Sequence, residues 1–284
     1  MTKETNTCKI KPQILYLSQS NDVMYSKEFI DLISKETTAD DFIGFGNPYS
    51  KILIIGKECA LDLNKPEDKF VYEKSNKPNH EHWLNNIKDN AITTKTITYW
   101  AETKIFNPLF PYRGDALPQG NCTWRNYQKL INQLFPEAIS PIATFHQYCF
   151  ITEFNDMPMN WSKHSMEVKR SVQNRCENVF SHPYFKEFPI VIAACGHYVD
   201  EYGIDLQALF DQKWDGLTIE IGKGEWINVH RNNGRLLLHT RQLSMCSNKL
   251  IDKLAALCKD YLSKPTHISP RRKAFSKAYK AKGD

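Results

Sequence analysis

The sequence predicts an α/β protein, a three-layer α/β/α sandwich built on a central, mainly parallel sheet. Four short runs carry that expectation: Lys51–Ile55, Tyr148–Thr152, Pro189–Cys195 and Arg235–His239. Their centres are apolar without a break, as in strands covered on both faces; a strand with one wet face would alternate. Amphipathic helical segments separate the runs, and strand alternating with helix is the pattern of a parallel sheet with helices packed on it. A length of 284 residues suits one such domain with appendages.

In chain order, residues 1–46 form an N-terminal extension. It has a polar start, a short helix around Ser26–Lys35 with Phe29, Ile30, Leu32 and Ile33 inward, and a glycine-rich approach at Gly44-Phe45-Gly46. The core domain, 47–264, opens with the first strand at about 51–57. Residues 61–95 hold Pro66, Pro78 and many Asn and Lys, which fits loops and short helices. Thr123 is placed to cap a helix in which Trp124, Tyr127, Leu130, Ile131 and Leu134 recur at three- and four-residue spacing. Met166, Val172, Cys176 and Val179 mark a crossover helix between the second and third strands. A hairpin over 217–230 follows from Ile219 and Ile221, then Trp226, Ile227 and Val229, on either side of Gly222-Lys223-Gly224. Asn232-Asn233-Gly234 is a turn signal, and a last helix over 247–262 buries Leu250, Ile251, Leu254, Leu257 and Tyr261.

Composition narrows the function classes. Hydrophobic residues make up 41% and aromatics 12%, ample for a core and unlike a disordered chain. No apolar run reaches the roughly 18 residues a membrane span needs, and the start, Met1-Thr2-Lys3-Glu4-Thr5-Asn6, lacks an apolar signal segment. A cytoplasmic location and no membrane partner are expected. The eight cysteines form no Cys-x-x-Cys pair, so reduced, mostly buried thiols are expected rather than zinc or an iron–sulfur cluster. His80 and His82 lack an acidic or cysteine partner at metal-ligand spacing, and neither metal nor cofactor is expected. The net charge of +5 resides in the basic tail, 265–284, where six Lys/Arg face one acid; residues 1–264 carry 31 charges of each sign. A solvated terminus and a phosphate-gripping arm are both open to such a tail.

Ligands of parallel α/β sheets bind beyond the carboxyl ends of the strands. The residues at those ends are Glu58, the Glu153-Phe154-Asn155 stretch, Gly196-His197, and His239 with its polar loop. Singly, each has a structural explanation: a helix-terminal acid, or a capping histidine. Pooled, they suggest an active site.

The order of a strand, Gly-x-acid, a long loop, a helix, a strand with a polar exit, a strand ending in Gly and a strand ending in His resembles the uracil-DNA glycosylase superfamily. Gly56-Lys57-Glu58 looks like its first motif, variously Gly-Gln-Asp-Pro-Tyr-His, Gly-Glu-Ala-Pro-Gly or Gly-x-Asn-Pro-Gly. His239-Thr240-Arg241-Gln242-Leu243-Ser244 looks like its last, His-Pro-Ser-Pro-Leu-Ser. The likeness spans about residues 47–262 and rests on few identities. Cys59 and Ala60 replace the usual residues after the first acid, and Thr240 and Gln242 replace both prolines of the last motif. Where the family places a base-reading asparagine, this chain offers Glu153, with Asn155 two residues on, which leaves the target base open. The cysteine spacing of the iron–sulfur branches is absent.

The resemblance implies hydrolysis of the N-glycosidic bond of a damaged or deaminated base flipped out of DNA. Glu58 would stabilise the sugar cation and orient water, and His239 would donate a hydrogen bond to the departing base. Glu153 and Asn155 would bind the base. Leu243 or Met245 would wedge the stack, while Lys57, Arg241, Gln242 and Ser244 would hold phosphates. Phe106, Phe110, Tyr112 and Trp124 are candidates for the pocket wall. Three readings compete: a DNA base-excision glycosylase acting as a monomer, a catalytically silent nucleic-acid-binding relative, and a nucleotide hydrolase or transferase using the same strand ends.

Overall fold

A computed structural model describes residues 25–38, 41–90, 122–139, 144–232 and 234–264. The basic tail, Phe106, Phe110 and Tyr112 lie outside the described residues. Seven strands form one mixed sheet: β1 (Phe45–Gly46), β2 (Ile52–Gly56), β3 (Phe150–Glu153), β4 (Ile190–Ala193), β5 (Lys213–Gly222), β6 (Glu225–Asn232) and β7 (Arg235–Thr240), in spatial order β1-β3-β2-β4-β7-β6-β5. The four central strands β3, β2, β4 and β7 are parallel. Antiparallel partners flank them, β1 on one side and the β5–β6 hairpin on the other.

Register sorts the apolar runs into two layers. Ile151, Ile54, Ile192 and Leu238 stand side by side across the parallel strands. They pack with Tyr127, Leu130 and Ile131 of α4 (Cys122–Leu134) and with Leu250, Ile251 and Leu254 of α9 (Asn248–Ser263). The alternate residues Leu53, Ile55, Val191, Ala193 and Leu237 face the opposite core. That second layer contains α1 (Lys27–Ile33), α3 (Asn79–Lys88), α5 (Met166–Arg175), α6 (Pro183–Lys186), α7 (Tyr198–Tyr202) and α8 (Leu206–Phe210). A short α2 (Pro66–Val71) continues into a π-helical stretch, Tyr72–Asn76, and its Val71 joins Phe42, Phe45 and Leu61 in a smaller cluster.

Several expected boundaries move. Gly44–Gly46, expected as an approach loop, supplies β1. Asn79 holds it there, accepting from Ile43 N at 2.9 Å and donating to Gly44 O at 3.0 Å. Phe29, Leu32 and Ile33 of the N-terminal segment are fully buried in the main core, so α1 packs as part of the domain. Thr123 sits inside the first turn of α4, which begins at Cys122. The second strand starts at Phe150 and includes Glu153; the hairpin extends to 213–232. Met166 opens the crossover helix on its exposed side, 60% accessible, because Ser165 caps the helix through Val168 N and turns position 166 to solvent. Among the described residues no helix is long and apolar enough to cross a membrane.

Candidate active site

The exits of β2 and β3 continue side by side past the strands, because Phe154 N donates to Gly56 O (3.0 Å) and Asn155 N to Lys57 O (2.7 Å). Glu58 is thereby fixed, and it is buried. Its Oε2 accepts from the Tyr198 hydroxyl and its Oε1 from the Ser162 hydroxyl. Lys57, also buried, sets its ammonium 4.8 Å above the Tyr198 ring and runs its stem past Gly196. Burial lifts the Tyr198 phenol well above its usual value, and the carboxylate it serves adds to the rise.

Gly196 is the hub. Its φ of +58° is a left-handed conformation that glycine adopts without strain. Its N–H donates to Thr240 O at 2.9 Å, and its carbonyl lies 2.8 Å from His239 Nε2. A carbonyl only accepts, so the His239 Nε2–H is the donor. Burial lowers the His239 pKa against the smaller opposing effect of that bond, leaving a neutral ring with Nδ1 as its acceptor. The Trp226 ring closes the other side edge-on, 4.7 Å away between centroids. Glu58 and Lys57, through Tyr198, and His239, through the Gly196 carbonyl, thus contact the same turn, 196–198, beyond β4.

Glu153 ends β3 opposite Gly56. A Cβ at position 56 would overlap its Oε2, so the glycine makes room for the carboxyl group. That oxygen is buried without a hydrogen-bond partner among the described residues. Burial first and the Glu58 charge second raise the Glu153 pKa to about 8, with Arg175 opposing. Arg175, fully buried, donates through Nε to the Glu153 carbonyl (2.9 Å) and through Nη2 to Thr152 Oγ1 (3.1 Å), while its Nη1 lies 4.0 Å from Asp156 Oδ2 and makes no hydrogen bond among the described residues.

Other expected site residues are placed differently. Asn155 is fully buried, its Oδ1 accepting from Ser171 Oγ (2.7 Å) and Met157 N (3.1 Å) and its Nδ2 donating to Met159 Sδ (3.3 Å). It shapes the 155–159 loop and has no amide edge left for a base. Leu243 is wholly buried against α4 and α9, so it anchors its loop and cannot act as a wedge. Lys57 is too enclosed to hold phosphates. The loop after β7 is pinned at both ends: Asn126 donates to Leu243 O (2.6 Å), and Glu225 accepts from Ser247 N (2.7 Å) with Arg241 at 4.0 Å. Met245 projects from it, 82% exposed; Gln242, Ser244 and Arg241 are half-buried beside it. Trp124 packs edge-on against Phe145. His80 Nε2 lies 2.7 Å from the Ile33 carbonyl, and no group that could hold a metal occurs among the described residues.

The sequence reading missed Tyr198, Ser162 and Trp161. Ser162 follows Trp161, which with Leu61, Leu63, Pro158 and Met159 among others lines a groove of about 360 Å³ and is 75% exposed. The run Met157-Pro158-Met159-Asn160-Trp161 was legible as an apolar loop at a strand exit, but nothing in it signalled contact with Glu58. Neither the family models nor the curated proteins compared with this chain match it.

Proposed function

We propose that the chain hydrolyses the N-glycosidic bond of a nucleobase extruded from DNA, as a member of the uracil-DNA glycosylase fold class. The observation that carries this reading is that Glu58 and His239 both bond the 196–198 turn, one at Tyr198 and the other at Gly196, at the carboxyl edge of the parallel strands. An oxocarbenium-like sugar is stabilised by a carboxylate held rigidly beside it, and Glu58 is held by two hydroxyls. Ser162, bonded to Glu58, is preceded in the chain by exposed Trp161, which lines a groove and offers a face on which a base can stack. Met245, the exposed apolar tip of an otherwise tethered loop, takes the wedge role.

Oligonucleotides, single- and double-stranded, carrying uracil, hypoxanthine, xanthine or a methylated base are incubated with the chain and scored for alkali-labile sites. Cleavage lost in Glu58→Ala is the expected result; no cleavage of any of them by the wild-type chain sinks the proposal. One observation favours a binding-only relative: both Glu58 oxygens already have donors. Salt-dependent oligonucleotide binding without cleavage would select it.

A further inference from the structure

We infer that Glu153, as a carboxylic acid, protonates the departing base, a role distinct from that of Glu58 and one His239 does not fill. The inference rests on the glycosidase reading and deepens it. Three features of the site support it. The Glu153 carboxyl group lies in a recess that exists only because position 56 lacks a Cβ. Its Oε2 is buried, with no hydrogen-bond partner among the described residues, which costs stability unless a ligand supplies one. Arg175, whose charge opposes the rise in the Glu153 pKa, bonds the backbone and Thr152 through Nε and Nη2, and its Nη1 lies 4.0 Å from Asp156 without a hydrogen bond among the described residues. The donor nitrogen of His239, meanwhile, is committed to Gly196.

The groups facing Glu153 are Glu58 from the β2 exit, Arg175 from α5, Cys59 beyond Glu58, and Tyr127 from α4. Burial and the Glu58 charge hold its proton to about pH 8, while Arg175 opposes them. Two neighbouring carboxyl groups with separated proton affinities can divide acid and base work. The C1′–N bond breaks with its electron pair going to the base nitrogen, and a ring nitrogen or carbonyl oxygen of the base takes the Glu153 proton. Water adds to C1′ and gives its proton to Glu58. The products are the free neutral base and the sugar hydroxyl; passage of one proton from Glu58 to Glu153 restores the site. Bases that leave poorly as anions and carry a ring-nitrogen acceptor, purines above all, gain most from such an acid.

The test compares full-length wild type with Glu153→Gln on hypoxanthine and uracil oligonucleotides from pH 5 to 9. Glutamine keeps the shape and a donor but has no proton to transfer. Hypoxanthine release is expected to fall about 10²-fold, with oligonucleotide affinity changed less than about threefold and the alkaline limb near pH 8 lost. Uracil release should fall less, because uracil has no basic ring nitrogen to take the proton. An infrared difference spectrum between the two proteins at pH 7 should show a protonated carboxyl group in the wild type, a readout independent of turnover. Unchanged hypoxanthine release in Glu153→Gln, or an ionised Glu153 at pH 7, overturns the inference while leaving the glycosidase reading intact. A wild type that cleaves nothing overturns both.

Discussion

Leu243 and Met245 sit two positions apart in one loop and do opposite jobs. Leu243 has no exposed surface, so truncating it removes core packing; Leu243→Ala should cost about 3 kcal/mol in chemical denaturation and leave oligonucleotide affinity within about threefold. Met245 touches little of its own chain. Met245→Ala should leave stability within about 0.5 kcal/mol while weakening binding to duplex containing a target base, measured by fluorescence anisotropy. Comparable binding losses from both variants would contradict this division. Glu58 and His239 were legible as strand-end residues, because a polar residue closing an apolar run is visible in one dimension. Their partners were not: Tyr198 lies 140 residues from Glu58, and Gly196 lies 43 from His239.

At the scale of elements, the β2–β3 pair shows how a backbone detail sets the chemistry. Gly56 is needed for the Glu153 carboxyl group to lie across the strand exit. Gly56→Ala should turn that group aside at small cost, because it is the end of a flexible side chain, leaving stability within about 1 kcal/mol and shifting the alkaline limb of activity, to be read by calorimetry and pH–rate profiles. The hairpin has a comparable role at the other end. Glu225, at the start of β6, accepts from Ser247 N, the residue whose hydroxyl in turn caps α9 through Leu250 N at 3.3 Å. Glu225→Ala should therefore loosen residues 241–247, seen as faster proteolysis there; unchanged digestion would remove the hairpin from the site's support. The hairpin's turn was readable from Gly222-Lys223-Gly224, but its tie to the next loop and helix depends on β6 pairing with β7.

For the whole molecule, buried titrating groups set opposing slopes of stability with pH. Burial pushes His146 down to about 3 and His230 to about 4, so both stay neutral in the folded chain. Below their ordinary value of 6.5 the unfolded chain binds protons that the folded chain does not, and stability falls as pH drops. Glu153 works the other way: raised from 4.5 to about 8, its contribution is full below 4.5 and is lost as pH rises toward 8. Between 4.5 and 6.5 these histidines, with His182 and His239 also lowered by burial, outweigh the one acid; from 6.5 to 8 the acid dominates, before the buried thiols, raised from 9.0, add to its slope. Urea denaturation should therefore show greatest stability near pH 6.5, with a decline between pH 6.5 and 8 of at most about 1.4 kcal/mol per pH unit. Glu153→Gln should flatten that decline, and an unchanged slope would mean the acid is not buried in solution.

Hydrophobic patterning alone determined the layered α/β architecture, the four parallel strands and the helices between them, because burial on both faces leaves an unbroken apolar run that local order preserves. It also marked Glu58, Glu153 and His239 as strand-end groups. Only the tertiary structure decided that Asn155, Lys57 and Leu243 are enclosed, that Tyr198 and Ser162 hold Glu58, and that Glu153 Oε2 has no hydrogen-bond partner among the described residues. Those properties arise from contacts between segments far apart in the chain, where proximity is set by strand order and register, and no local pattern encodes it.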